Sequence, residues 1–381
     1  MSSNYRSLLL EIVNDYYKPF KNKERKVIWL SAFAPSEIIT SFDVDIFYPE
    51  IYTTILANKE ICQKLISLSN QKGYENELCS YMRIFSGALD FEKSLPFGKI
   101  PSPDALVVTN NQCGTLFPMW KIFASYYNVP LFILDLPASN TNRRDYIIQQ
   151  MRELIIFMEK ISNSSIDYYR LSENVQISAE VSFNWRKLCN LVFSEEINIS
   201  LNSLVSNYFT PITIAHSSKK TLEYLSLILS NSKKVSQKDN KKRIYWYGYP
   251  CWFSDIKFPD LSNNGAKIVA NNYLTWWDFQ IDKHDDPIDA LTNAYSNTYL
   301  NRSFNNKMIE LKNELIKFNI DGVFVISNFS CKRDSIMSNK IAETIQKMGY
   351  PVSLNEADMC DKTKFNENEF LLRAETFLEN L

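Results

Sequence analysis

Apolar and polar positions fall into a block over residues 104–137, DALVVTNNQCGTLFPMWKIFASYYNVPLFILDLP. Residues 105–108 are apolar and β-branched, bounded by Pro101 and Pro103 before and by Asn110 and Asn111 after, the pattern of a buried parallel strand. Helical spacing follows over 116–127, and a second apolar run over 131–134. A right-handed crossover between two such strands puts Cys113 at the carboxyl edge of the sheet, where ligands of open α/β sheets bind. The block returns at 321–358, DGVFVISNFSCKRDSIMSNKIAETIQKMGYPVSLNEAD. In both copies an Asp opens the strand (Asp104, Asp321), an Asn follows its end, a Cys sits at the turn into a helix (Cys113, Cys331), and a Pro starts the next strand (Pro130, Pro351). That repetition predicts two α/β halves, each presenting a thiol at a sheet edge.

The remaining patterning fills in both halves. Residues 27–32 read as a strand, after which Pro35, Ser36 and Glu37 open a helix with Pro and an acidic group in its first turn. A short strand is predicted at 44–47, ending at Tyr48-Pro49-Glu50, and a helix at 58–71, ended by Gly73. A helix through 77–83 puts Cys79 and Arg83 on one face, within reach of the Cys113 edge. From 143 to 229 apolar residues recur at three and four spacing with few strand signals, a connecting helical layer. The polar run NSKKVSQKDNKK at 231–242 is the best boundary in the chain. Strands at 243–247, 267–270, 322–327 and 352–354 and helices at 308–317 and 367–381 make the second half. The fold class is therefore α/β: two related domains with parallel sheets, 1–165 and 238–381, joined by a helical layer at 166–237.

Composition narrows the function. A chain of 381 residues is long for one core, which favours two domains. Its formal net charge of −1 supplies no electrostatic reason to bind nucleic acid or an anionic membrane. The first twenty residues are amphipathic, unlike a signal peptide, and no window approaches the ~20 apolar residues of a membrane span, so a cytoplasmic protein is expected. Only eight glycines are present, with no GxGxxG or GxxxxGK[ST], which counts against a nucleotide-hydrolysing role for this chain itself. His216 and His284 are the only histidines, a scarcity that counts against histidine-ligated zinc and His-dependent triads.

Seven widely spaced cysteines argue against a disulfide framework. Cys62, Cys189 and Cys251 read as core, while Cys360 fits either core or site. Cys79, Cys113 and Cys331 fall at loop or helix-start positions facing the crevice between the halves. Each alone reads as a small buried hydrophobe. Three converging thiolates, favoured by helix N-termini, call for a cation: a metal or an iron-sulfur cluster. Structural zinc would show close CxxC pairs, which are absent, and three thiolates on a cluster leave one iron open. Ser31 and Glu37 could be a hydroxyl ligand and a proton carrier, though a strand-end Ser and a helix-start Glu are more often caps. The aromatic residues Trp246, Tyr247, Tyr249, Trp252, Trp276 and Trp277 fit either an apolar substrate pocket or core packing.

These residues carry a resemblance. WLSAFAPSEII at 29–39, YPE at 48–50, ELCSYMR at 77–83, PDALVVTNNQC at 103–113, VPLFILDLP at 129–137, NFSCKRDS at 328–335, ADMCD at 357–361 and RAETFLENL at 373–381 resemble, in order, the component D-type subunits of the 2-hydroxyacyl-CoA dehydratase and benzoyl-CoA reductase family. The resemblance implies two Rossmann-like domains with a [4Fe-4S] cluster between them, held by Cys79, Cys113 and Cys331. It implies a homologous second subunit or a second copy, an ATP-hydrolysing activator as electron donor, and an acyl-CoA substrate. The chemistry implied is radical dehydration of a 2-hydroxyacyl-CoA or reduction of an aromatic acyl-CoA; the alternative is a cluster-carrying electron-transfer or scaffold subunit without its own substrate site. The chain departs from the family in its few glycines, in Ser31 where many members carry Cys, and in the unassigned stretch WYGYPCWF at 246–253.

Overall fold

The computed structural model describes residues 3–91, 95–137, 143–236, 239–282 and 286–381; His284 and the middle of the boundary run, Gln237 and Lys238, lie outside them. The first half comprises α1 (Ser3–Tyr17), β1 (Lys26–Leu30), α2 (Ser36–Ile39), β2 (Val44–Phe47), α3 (Pro49–Ala57), α4 (Cys62–Gln71), α5 (Ser80–Leu89), β3 (Ala105–Thr109), α6 (Leu116–Tyr127) and β4 (Leu131–Leu134). Helices α7 (Arg144–Ser162), α8 (Tyr168–Phe193), α9 (Leu201–Ser203), α10 (Thr210–Ile214) and α11 (Lys219–Asn231) follow. The second half comprises β5 (Lys242–Tyr247), β6 (Ala266–Asn271), α12 (Asn272–Thr275), α13 (Pro287–Ser296), α14 (Phe304–Lys317), β7 (Gly322–Asn328), α15 (Lys332–Ser335), α16 (Ser338–Lys347), β8 (Val352–Ala357) and α17 (Glu367–Glu379). Two four-stranded parallel sheets result, ordered β2-β1-β3-β4 and β6-β5-β7-β8. The expected pair of parallel-sheet α/β units is borne out.

The repeated residues have repeated physical jobs. The Asp104 carboxylate accepts the Val27 N–H (2.8 Å), while the Asp104 N–H donates to the Val27 carbonyl (2.7 Å). Asp321 makes the same pair with Arg243, at 2.7 and 2.9 Å. Each Asp thus sets the register between the first strand of its half and the third. The carbonyls of Pro130 and Pro351 accept N–H groups of Leu106 and Val323, starting the next ladder in each sheet. Because proline lacks its own N–H, it fits only where the strand begins. Every residue of β3 is buried, as a parallel sheet covered on both faces requires.

The helical layer is bound to the second half by Trp185, fully buried on α8, whose indole N–H donates to the Leu274 carbonyl (2.9 Å). Asp167 caps α8 by accepting N–H groups of Tyr169 and Arg170. Two differences from the sequence reading bear on the site. The segment after β2 turns at once into α3, because Tyr48 is extended and Pro49 takes the first helical position; the helix expected at 58–71 begins only at Cys62. A further helix, α13, opens on Asp286 and Pro287 and packs on the layer. Among the described residues no helix is long and apolar enough to cross a membrane.

Helix α5, which carries Cys79 at its N-cap, is held against α4 by close backbone contact: a Cβ on Gly87 would lie 1.9 Å from the Leu65 carbonyl oxygen. Gly87→Ala is therefore expected to push the helices apart and destabilise the protein by ~3 kcal/mol, toward the severe end for overpacking. Urea unfolding checks this, and a midpoint equal to wild type would refute the contact.

Candidate functional site

Both strand-to-helix turns open onto one cavity of about 70 Å³, lined by Cys79, Cys113 and Cys331 together. At ~10–15 Å³ per water it has room for roughly five, too large for a packing defect. Cys79 is the N-cap of α5 and Cys331 the N-cap of α15. Cys113 sits between β3 and α6, where the Leu116 N–H donates to its sulfur (3.3 Å). The first half thus supplies two thiols and the second half one. Among the described residues, no three His, Cys, Asp or Glu side chains close on a point in the manner of a single-ion site.

Two straps join the halves beside these thiols. Ser330 accepts the Ser80 N–H, next to Cys79 (3.0 Å), while its hydroxyl donates to Asp358. The other Asp358 oxygen accepts N–H groups of Cys360 and Asp361 (both 2.9 Å), and Asp361 pairs with Arg83 of α5 at 3.2 Å. The second strap is Arg333, whose guanidinium donates to the carbonyls of Asn111 (2.5 Å) and Gln112, just before Cys113, and of Leu300 (2.6 Å). Asp361→Ala would leave the Arg83 guanidinium, wholly buried, without its counter-charge. A loss of about 3–5 kcal/mol is expected by thermal unfolding, and a change under about 1 kcal/mol would show the pair to be dispensable.

Burial pushes the Cys79 thiol well above its usual range, and the neighbouring Cys113 and Cys331 push it further; the N–H groups of Met82 and Tyr81 pull the other way. Cys113 is also raised by burial, against the pull of N–H groups at the start of α6 and the Arg333 charge. Cys331 is pushed up to about 12 by burial and by Asp334, while its thiol donates to the Tyr249 hydroxyl (3.8 Å). Left alone, the three stay protonated at neutral pH; a metal would have to displace their protons to bind. The donor set of three soft thiols, without imidazole, spread around a cavity, fits an iron-sulfur cluster better than one hard cation.

The other expected site residues are placed differently. Ser31 is fully buried and its hydroxyl accepts the Thr109 N–H (3.2 Å), tying the ends of β1 and β3. Glu37, also buried, accepts the Tyr295 hydroxyl (2.9 Å), and burial raises its pKa. Neither lines the cavity. Glu50, which sequence reasoning passed over, does. One of its oxygens accepts the Ala32 N–H (3.3 Å), the other has no hydrogen-bond partner among the described residues, and burial pushes the carboxyl up to about 7. Its signal was Tyr48-Pro49-Glu50, a helix start directly after a strand at the same sheet edge. Cys62, Cys189, Cys251 and Cys360 are buried and lie off the cavity. Of the aromatic stretch, Tyr249 and Trp276 face the cavity while Trp246, Trp252 and Trp277 pack the core.

The family model described as "2-hydroxyglutaryl-CoA dehydratase, D-component" matches residues 31–381. The (R)-2-hydroxyisocaproyl-CoA dehydratase alpha subunit of Clostridioides difficile is 26% identical, with 97% of this chain and 95% of the relative covered. A benzoyl-CoA reductase subunit of Thauera aromatica is 24% identical, over 97% and 92%. The (R)-2-hydroxyglutaryl-CoA dehydratase alpha subunit of Acidaminococcus fermentans is 22% identical, over 97% and 95%.

Proposed function

Because the chain belongs to the 2-hydroxyglutaryl-CoA dehydratase D-component family, we propose that it is the subunit of an acyl-CoA-processing enzyme that removes water from a 2-hydroxyacyl-CoA, with a [4Fe-4S] cluster held by Cys79, Cys113 and Cys331. Its relatives are dehydratase and reductase subunits, and the chain is an enzyme subunit of that kind. The observation that carries the proposal is the convergence on one cavity of three thiols, two from sheet-edge turns and one from the start of α5, with a buried carboxyl lining the same cavity. When bound, the cluster would supply a low-potential electron and an open iron able to act as a Lewis acid on a thioester carbonyl.

The chain's own residues divide the remaining work. The three thiolates would hold the cluster, and Arg333 and Ser330 tie the two halves together beside them. Glu50, at about 7 and with one oxygen free, is suited to take a proton from the substrate or return one to the leaving hydroxyl. Ser31 fixes the segment whose Ala32 N–H orients Glu50, and Glu37 supports the same segment through Tyr295, whose hydroxyl also donates to the Ala34 carbonyl (3.4 Å). Relatives named alpha subunits imply a partner; the proposal extends to a homologous second subunit and an ATP-hydrolysing activator as electron donor. The test is EPR of the anaerobically purified protein titrated with a panel of 2-hydroxyacyl-CoA esters. A substrate-dependent change in the cluster signal is expected; its absence across the panel would favour an electron-carrying subunit without a substrate site.

A further inference from the structure

We propose that the acyl chain handled by this site is uncharged and apolar, and that the site rejects acyl groups carrying a second carboxylate; this rests on the dehydratase reading above. Beside the thiols the cavity is lined by Phe33, Tyr81, Tyr249, Tyr273, Trp276 and Leu300. Tyr249 packs on Tyr273 and edge-on to Trp276, so the wall is a continuous aromatic surface, with ring centroids 4.8 and 5.4 Å apart. Arg333 is the one Lys or Arg among the described lining residues. Its guanidinium is already held by the Asn111, Gln112 and Leu300 carbonyls and braces the Cys113 loop, so turning it toward a ligand would loosen that loop. The acidic lining residue is Glu50, which sets a carboxyl, not a cation, before the incoming acyl chain. A terminal carboxylate here would lose its hydration with no cation free to turn toward it, Arg333 being held by the three carbonyls, whereas a methyl or phenyl group would gain aromatic contact.

The experiment compares 2-hydroxypentanoyl-CoA with 2-hydroxyglutaryl-CoA, a pair that differs in a terminal methyl against a carboxylate. Binding to the anaerobically purified, cluster-loaded full chain, together with any subunit it assembles with, is followed by tryptophan fluorescence. The pentanoyl ester is expected to bind on the order of 100-fold more tightly. Equal affinity, or preference for the glutaryl ester, would overturn the proposal while leaving the dehydratase reading intact; no binding of either ester would overturn both. Thr54→Lys supplies a cation not held by carbonyls, from a half-buried position on the wall where the native hydroxyl donates to the Ile51 carbonyl of its own helix. In this variant the gap between the esters is expected to narrow by roughly 10-fold; an unchanged gap would overturn the placement of the acyl chain in this cavity.

Discussion

Replacing Cys113 or Cys331 by alanine is expected to lower the iron content of the anaerobically purified protein from about four per chain, the count of a [4Fe-4S] cluster, to near zero, with loss of the brown colour. The two residues come from different halves: Cys331→Ala removes the second half's one thiol at the cavity, and Cys113→Ala one of the first half's two. No spare thiol can substitute: Cys62, Cys189, Cys251 and Cys360 are buried off the cavity. Cys79→Ala is expected to behave alike. Cys189→Ala is the control, since Cys189 lies in the helical layer and its removal opens only a small void. Binding energy of a cluster is also folding energy, so the cysteine variants should unfold at lower temperature than the loaded wild type and at the same temperature as wild type purified without iron. Equal iron in Cys113→Ala, Cys331→Ala and Cys189→Ala would refute the ligand assignment. Alanine is the cleaner choice because serine can still bind iron weakly.

Much of this arrangement was legible because it is local and repeated. Asp104 and Asp321, Cys113 and Cys331, and Pro130 and Pro351 hold equivalent places in two copies of one unit, and the Asp and Pro residues have backbone jobs that any such unit needs. Periodicity located α6 and β4 to the residue for the same reason: a parallel strand and its crossover helix are apolar on the buried side throughout. What stayed hidden is long-range. The Ser80–Ser330 bond spans 250 positions and the Arg333–Asn111 bond 222, and no spacing rule in one chain connects them. Ser31 and Glu37 looked chemical because they stand at a strand end and a helix start, yet strand-end hydroxyls can equally satisfy backbone groups, as Ser31 does for Thr109. Glu50 is hidden in the pattern because Tyr48-Pro49 marks the end of β2, while Pro49 also opens α3, the helix that carries Glu50 at the cavity.

Glu50→Gln is expected to lower turnover by roughly 100- to 10,000-fold, the range for losing a positioned acid or base, while making the protein more stable above neutral pH. The two effects have one cause. Burial raises the Glu50 carboxyl from its ordinary 4.5 to about 7, so between those values the folded chain keeps a proton that the unfolded chain has released. Stability therefore falls as pH rises through this window, and by pH 8 the full burden of burying the ionised carboxylate is present, on the order of 3 kcal/mol. Glutamine cannot ionise and its side-chain carbonyl can still accept the Ala32 N–H. The variant should match wild type near pH 4.5, gain on it steadily up to pH 7 and hold that advantage at pH 8. Glu314, also pushed up to about 7 by burial, is untouched by the substitution, so a residual slope of the same sign should remain. Urea unfolding at pH 5 and pH 8, alongside turnover, separates the alternatives. A purely structural Glu50 would lose stability and activity together at both pH values; a group kept for chemistry at the expense of the fold gains the one and loses the other.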